Sequence, residues 1–411
     1  MYKVDLKIQK KTNIQSNSLS LLFLHLQRAQ KPKKNLNDKL LSFAAYFYLM
    51  SQVKKQLNIQ RHDSSADQSL RPHTAADKYL LSEFEELGKS PEQIAIYHDR
   101  FGFLSCSLHT QHSVFVFNQK SQLNALERNS ELNKLTPPTY SDPISALETK
   151  LDLALMKIPK SLALFRLYLE HITHNSTDNC VVLASFMTRH FTPKILEIAE
   201  EYFEEVTQSR AVKKSRVLTM KGKKKLEQQN CIDTLEYKSK TYQQYWGVFS
   251  AKHIDYATQY FLEHIDLKSS DKLILDLASG NGVIGSEISQ KLSNASIHLM
   301  DDSYLAMASA KLNISGENIH HHFNHSLDGF DSESFDLIAT NPPFHFEYEI
   351  NIQIPIGLFK ACFRCLKPSG NLQLVANKHL NYKTHLNDIF TKVEVLAEND
   401  SFTVYKCSKL N

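Results

Sequence analysis

From about Thr74 onward, apolar residues fall in short unbroken runs separated by stretches in which they recur at helical spacing, the pattern of strands covered on both faces alternating with amphipathic helices. In the first half this predicts a helix over 75–87, a strand at 93–97, a helix after Phe103, a strand at 114–117 and a helix near 123–132. A strand at 151–158, a helix over 162–172, a strand at 180–185 and a helix over 193–203 complete it. The second half repeats the plan: strand 273–277, helix 283–292, strand 296–300, helix 304–312, strands 319–323 and 335–340, helix 354–366, strand 372–376 and helix 380–390. Two final apolar runs, 393–396 and 402–405, flank Glu398-Asn399-Asp400 and predict an antiparallel hairpin. Strands alternating with helices predict parallel α/β sheets. Leu151-Asp152-Leu153-Ala154-Leu155-Met156-Lys157-Ile158-Pro159-Lys160 aligns with Phe335-Asp336-Leu337-Ile338-Ala339-Thr340-Asn341-Pro342-Pro343-Phe344, which predicts an internal duplication.

A length of 411 residues suits two to three domains. The expected division is a basic N-terminal extension over 1–56, a first α/β domain over 57–209, a basic linker or edge hairpin over 210–240 and a second α/β domain over 241–411. The two apolar runs of the extension, 18–26 and 40–50, fall short of the roughly twenty residues a spanning helix needs. Lys31-Pro32-Lys33-Lys34 after the first run also fits a signal peptide poorly, and an alternative start at Met50 would remove residues 1–49.

Charge changes the picture only locally. Residues 1–49 hold nine cations and two anions, a surplus of seven, so against a total of +4 the rest of the chain is net acidic by three. A polyanionic partner would have to meet local patches. The best of these is 210–225, with Arg210, Lys213, Lys214, Arg216, Lys221, Lys223, Lys224 and Lys225 and no acid; a solvated linker is the competing reading. Lys213, Lys214, Lys223, Lys224 and Lys225 are the candidate RNA contacts. The six cysteines are scattered, without a zinc-binding doublet pattern, and fit a reducing compartment such as the cytoplasm.

The chemistry concentrates in the second half. Asp276-Leu277-Ala278-Ser279-Gly280-Asn281-Gly282-Val283-Ile284-Gly285 follows an apolar strand and opens a helix, the context in which a glycine-rich turn approaches a ligand. Asp301 ends the next strand, 21 residues after Gly280, where a carboxylate can accept both hydroxyls of a ribose. A nucleoside-containing cofactor is implied, and either a dinucleotide or S-adenosylmethionine would satisfy it. Asn341-Pro342-Pro343-Phe344, at the end of strand 335–340, selects the second. Paired prolines make a stiff turn that offers carbonyls without competing N–H donors. Those carbonyls and the Asn341 oxygen can orient an exocyclic amino group, while Phe344 offers a face for an extruded base.

With these motifs the sequence resembles the class I S-adenosylmethionine-dependent methyltransferases, and within them the bacterial ribosomal RNA guanine-N2 methyltransferases. The resemblance spans about 57–409 and is carried by Val248-Phe249-Ser250, Gly280 to Gly285, Asp301-Asp302-Ser303 and Asn341-Pro342-Pro343-Phe344-His345. Ala376-Asn377-Lys378-His379-Leu380-Asn381-Tyr382 and Phe402-Thr403-Val404-Tyr405-Lys406 look more like the large-subunit (23S rRNA) enzymes. The resemblance implies two tandem methyltransferase-like, Rossmann-like doubly wound domains, the N-terminal one degenerate. It also implies S-adenosylmethionine as cofactor and 23S rRNA as partner; no membrane is expected from the short apolar runs, and no metal from the spacing of the histidines.

By the same resemblance Phe249, Asp276, Gly280, Gly282 and Asp301 hold the cofactor, Asn341, Pro342, Pro343 and Phe344 hold guanine, and Asn324 or His325 faces adenine where many relatives have an Asp. In the first half His98-Asp99-Arg100-Phe101-Gly102 and Lys157-Ile158-Pro159-Lys160 replace the two motifs, so that half is expected to be inactive; its two lysines would suit phosphates. His320-His321-His322 with His325 would point alternately to opposite faces of a strand, which argues against a metal site. Cys362 and Cys365 lie inside a helix, where packing is the better reading. A 16S rRNA guanine, a DNA adenine or a protein glutamine as acceptor, and an RNA-binding assembly factor without turnover, stay open as alternatives.

Overall fold

The computed structural model describes residues 57–61, 71–88, 91–250, 252–342, 345–346, 349–350 and 353–409. The extension over 1–56, with Met50, lies outside them, as do Pro343 and Phe344. From Asn58 to Asn411 the chain is one compact unit built on two seven-stranded sheets.

The first sheet holds β1 (Ile94–Tyr97), β2 (Ser113–Val116), β3 (Thr139–Ser141), β4 (Leu151–Lys157), β5 (Ser176–Met187), β6 (Phe203–Gln208) and β7 (Ser215–Lys223), in the order β3-β2-β1-β4-β5-β7-β6. Its helices are α1 (Ala75–Glu86), α2 (Phe103–Ser107), α3 (Lys120–Asn133), α4 (Leu162–Asn175) and α5 (Pro193–Tyr202). Next comes a separate hairpin, β8 (Ile232–Tyr237) and β9 (Lys240–Tyr245), followed by α6 (Tyr256–His264).

The second sheet, β12-β11-β10-β13-β16-β18-β17, contains β10 (Leu273–Leu277), β11 (Ser296–Asp301), β12 (Ile319–Phe323), β13 (Phe335–Thr340), β16 (Leu366–Asn377), β17 (Lys392–Glu398) and β18 (Phe402–Ser408). Among them run α7 (Val283–Lys291), α8 (Tyr304–Asn313), α9 (Gln353–Cys365) and α10 (Tyr382–Asn387). A short ribbon, β14 (His345–Phe346) with β15 (Glu349–Ile350), follows β13.

The two sheets have the same strand order, and the agreement extends to register. Ile94 of β1 pairs with Leu153 as Ile274 of β10 pairs with Leu337, and the β4–β5 and β13–β16 ladders each slip at the same place, between Leu151 and Leu153 and between Phe335 and Leu337. In both sheets the central strands are apolar on both faces, because helices cover each side. Side chains fix several helix starts: Ser161, Asp255 and Ser303 accept from the N–H three residues on, and Pro193 opens α5.

The sequence pattern needs correction in several places, and β3 and β6 were not among its strands. Residues 215–223, within the stretch read as linker or edge hairpin, are the second arm of an antiparallel β6–β7 hairpin at the edge of the first sheet, with Val217, Leu218 and Met220 buried, so the linker reading falls. Lysines and arginines at both ends had obscured that apolar centre. The 380–390 helix is a 3₁₀ turn and the six-residue α10, split at Asn381, which sits at φ +44°. The β8–β9 hairpin and α6 had no counterpart in the predicted order. Among the described residues, no helix is long and apolar enough to cross a membrane.

Candidate active site

Strand order in the second sheet reverses between β10 and β13, and an open α/β sheet binds its ligand at the carboxyl ends of strands flanking such a point. Thr340 locks the two ends together by donating its hydroxyl to the Leu277 carbonyl at 2.7 Å. The glycine loop leaves β10 through left-handed residues Ala278, Gly280 and Gly282 at φ +56°, +55° and +81°. A Cβ on Gly282 would press on Leu299 and Ala310 at 3.1 Å, so packing demands that glycine. A Cβ on Gly280 would meet nothing within 4 Å, so the backbone there faces open space.

Asp276 is fully buried, and its Oδ2 accepts the Gly285 N–H at 2.8 Å, drawing the first turn of α7 onto the strand end. Its Oδ1 is buried without a hydrogen-bond partner, and so is Ser279 Oγ. Orphaned buried polar atoms are costly and call for a ligand or a water. Asp301 Oδ2 accepts from Gly280 N at 2.9 Å and Oδ1 from Ser303 N at 2.8 Å. Each oxygen keeps a second lone pair, enough for two vicinal hydroxyls. Burial pushes the Asp276 carboxyl up to about 7 and that of Asp301 up to about 6. Bare backbone, orphaned acceptors and an acid with spare lone pairs together fit the polar end and ribose of S-adenosylmethionine.

The remaining residues arrive from distant elements. Asn281 donates to Gln244 Oε1 of β9 at 2.9 Å, and Gln244 donates onward to the Ser250 carbonyl at 3.2 Å, which ties the glycine loop to the segment carrying Phe249. Phe249 keeps 72% of its surface exposed beside this link. Asn324 N donates to the Asp301 carbonyl at 3.1 Å, while Asn324 Oδ1 accepts from His325 N and His325 Nδ1 lies 3.4 Å from Asn124 Nδ2 of α3. At the end of β13, Asn341 donates both amide hydrogens to α6, to Asp255 Oδ2 at 3.0 Å and Thr258 Oγ1 at 2.9 Å. With its donors spent, the Asn341 side chain presents only its carbonyl oxygen away from α6. Pro342 behind it is buried.

Gln244, Asp255 and Thr258 escaped the sequence analysis. Asp255 followed three residues later by Thr258 is a helix start signal, but nothing in it points to Asn341; Gln244 carries no local signal at all.

In the first domain the loop after β1 keeps the backbone and loses the chemistry. His98 and Gly102, at φ +58° and +72°, match Ala278 and Gly282. Register places Ile96 where Asp276 stands, Arg100 at Gly280 and Phe117 at Asp301. Asp99 fills the loop, accepting from Ser105 N at 2.9 Å and Ser105 Oγ at 3.0 Å, and Lys157 pairs with Asp77 at 3.5 Å. The first domain is a degenerate copy of the second.

The histidine-rich strand β12 alternates as expected. His320 and His322 gather round His298 of β11, with ring centroids 4.5 and 5.0 Å apart, whereas His321 lies on the other face against α8. Burial and the neighbouring rings lower His298 to about 4, so it is neutral near pH 7. Among the described residues no cluster of His, Cys, Asp or Glu suits a metal ion. Cys362, Cys365 and Cys407 are fully buried in one apolar cluster.

The buried Asp276 yields a first prediction. Its folded pKa, about 7, lies above the ordinary 3.8, so its relative stabilisation is full below pH 4 and is lost as pH rises through 7. Asp276→Asn should therefore raise the stability of the ligand-free protein at pH 8 by about 1–3 kcal/mol, with the gain shrinking as pH falls and vanishing only toward pH 4, and cofactor affinity falling. Thermal melts of both proteins across that range check it.

The chain matches the family model of the RLMG N-terminal domain over residues 49–224 and that of the methyltransferase small domain over residues 240–406. It is 30% identical to ribosomal RNA large subunit methyltransferase G of Pseudoalteromonas translucida, covering 84% of this chain and 93% of that one. The same-named protein of Vibrio vulnificus is also 30% identical, over 86% and 98% of the two chains. Among solved structures, the T. thermophilus 16S rRNA N2 methyltransferase in complex with AdoMet and guanosine shares the fold at TM-score 0.68 and 17% identity, covering 82% of this chain and 92% of that one. By sequence over 84–86% of its length, this chain belongs to the ribosomal RNA large subunit methyltransferase G family.

Proposed function

We propose that the chain transfers a methyl group from S-adenosylmethionine to the exocyclic N2 of one guanine in 23S rRNA. The observation that supports this reading is the fixed amide of Asn341, whose hydrogens go to Asp255 and Thr258, so that its carbonyl oxygen is the side-chain atom left to accept from an amino group. When bound, S-adenosylmethionine supplies a methyl group already activated on a sulfonium. The protein's part is then to hold an amino group in line with it, which is positioning rather than strong base catalysis.

An aniline-like nitrogen has its lone pair conjugated into the ring. Acceptors for its two hydrogens, the Asn341 Oδ1 and the Asn341–Pro342 backbone carbonyls, favour a pyramidal nitrogen with the lone pair freed. Phe344 would stack on the extruded base, and Phe249, Asp276, Gly280, Gly282, Asp301, Asn324 and His325 would line the cofactor. Mass spectrometry of rRNA nucleosides from a strain lacking the gene tests the reading. Loss of one N2-methylguanosine from 23S rRNA, restored by the gene, is expected, and an unchanged level would sink it.

The candidate RNA lysines divide into two kinds. Lys213 and Lys214 form the exposed β6–β7 turn, and Lys225 is exposed. Lys223 and Lys224 instead donate to carbonyls of Thr173, Ser176 and Glu200. Replacing Lys213 and Lys214 by Glu should weaken RNA binding and lower the slope of log affinity against log salt by about 1–2. Filter binding at several salt concentrations reads this, and an identical slope would remove the turn from the RNA face. Lys223→Glu should mainly lower the melting temperature.

A further inference from the structure

The degenerate domain meets the second at the edge where its own ribose acid would have stood. Phe117, in the position of Asp301, stacks on Phe323 with centroids 5.9 Å apart and meets Tyr304 edge-on at 5.7 Å. One residue further along, the two domains exchange hydrogen bonds reciprocally. Asn118 Oδ1 accepts the Leu305 N–H in the first turn of α8, at 3.2 Å, and the Ser303 hydroxyl at 3.3 Å. Asp302, at the equivalent place, accepts the Ser121 N–H in the first turn of α3, at 2.8 Å, and the Ser121 hydroxyl at 2.6 Å.

Backbone bonds from Lys120 N to the Asp302 carbonyl, 2.9 Å, and from Tyr304 N to the Asn118 carbonyl, 2.6 Å, join the two loops as a short antiparallel bridge. Leu305 and Ala306 of α8 are buried in the core of the first domain.

This junction adjoins the cofactor acid in the chain. Asp301 is bonded to the glycine loop through Gly280 N, and Asp302 is bonded to the other domain through Ser121. We propose, resting on the cofactor reading above, that the first domain sets the geometry of Asp301, with Asp302 as the positioning residue that links them. The Ser121 N–H and hydroxyl at the start of α3 hold the Asp302 carboxylate, and with it the 301–303 backbone, against the loop. Loss of its own cofactor site thus left the first domain with an edge that organises its neighbour's. His325, bonded to α3 through Asn124, adds a second tie beside the same loop.

The test uses the full chain and titration calorimetry with S-adenosylmethionine and with S-adenosylhomocysteine. Asp302→Ala should raise both dissociation constants about three- to thirtyfold, and Ser121→Ala, which lies in the other domain, should raise them in the same direction. At saturating cofactor, kcat should stay within about twofold, because the reacting atoms are untouched. Asp302→Asn should recover most of the affinity, since its amide oxygen still accepts the Ser121 N–H.

Arg166→Ala is the control for general destabilisation: it breaks the Arg166–Glu201 ion pair, remote in sequence from the junction, and should lower the melting temperature with cofactor affinity unchanged. Unchanged affinity in both Asp302→Ala and Ser121→Ala, with a wild type that binds, overturns this inference alone. A wild type that binds neither ligand overturns the cofactor reading and this inference with it.

Discussion

Asn341→Ala is expected to lower kcat for methyl transfer about 10²–10³-fold, the usual loss for one preorganised group facing a developing charge, while cofactor affinity changes less than about threefold. The argument rests on where the amide hydrogens go. Asp255 Oδ2 and Thr258 Oγ1 take both, so the amide is already fixed before any methyl acceptor arrives and its oxygen needs little reorganisation. As the N–C bond forms, the amino nitrogen becomes cationic and its hydrogens acidic, so the same acceptor binds the transition state more tightly than the ground state.

Asp255→Ala should reproduce part of the loss, because the amide could then rotate. Asn341→Asp should fare no better than Ala, since a carboxylate there would face the Asp255 carboxylate. Single-turnover kinetics on rRNA transcripts at saturating cofactor separate these effects from binding. A wild-type rate in Asn341→Ala would remove the residue from the reaction.

The residues that sequence could and could not disclose differ in how they act. The glycine loop, Asp301 and Asn341 announce themselves because each follows an apolar strand whose buried run is unmistakable, and the topology then brings the three strand ends together. The partners that aim them do not. Asn341 depends on α6, Asn281 on Gln244 of a polar hairpin whose turn, Lys238-Ser239, lacks the glycine that would mark it. Asp302 depends on a helix 181 residues away in the chain.

Fold legibility follows the same division. Central strands with both faces covered read as apolar runs, so the alternation of strands and helices along the chain was accessible. β3 is three residues long with no buried side chain, and β7 hides its apolar centre between clusters of lysine and arginine; neither produces an apolar run long enough to stand out. The duplication emerged from one aligned strand pair, but its full extent is in the matched register of the sheets. That register converts the first domain from an inactive copy into a docking partner for the active one.

Asp301→Ala should weaken S-adenosylmethionine binding by about 10²–10⁴-fold, because two charge-assisted hydrogen bonds of roughly 1.5–3 kcal/mol each are lost. Its pH dependence separates this from a collapse of the loop. Burial holds the free Asp301 carboxyl at about 6, above the ordinary 3.8, and only the carboxylate can accept from both hydroxyls without donating. Binding should therefore pull the pKa down and take up no proton at pH 8, whereas near pH 5 it must first release one. Wild-type affinity should fall as pH drops through 6, and Asp301→Asn, which keeps the shape and one acceptor, should start about tenfold weaker at pH 8 and lose that part of the pH dependence. Asp276 titrates near 7 and contributes its own decline, so the comparison is made between wild type and Asp301→Asn, in both of which Asp276 remains. Calorimetry at several pH values in two buffers of different ionisation enthalpy measures affinity and proton uptake together. Parallel pH profiles for the two proteins would show that Asp301 does not meet the cofactor as a carboxylate.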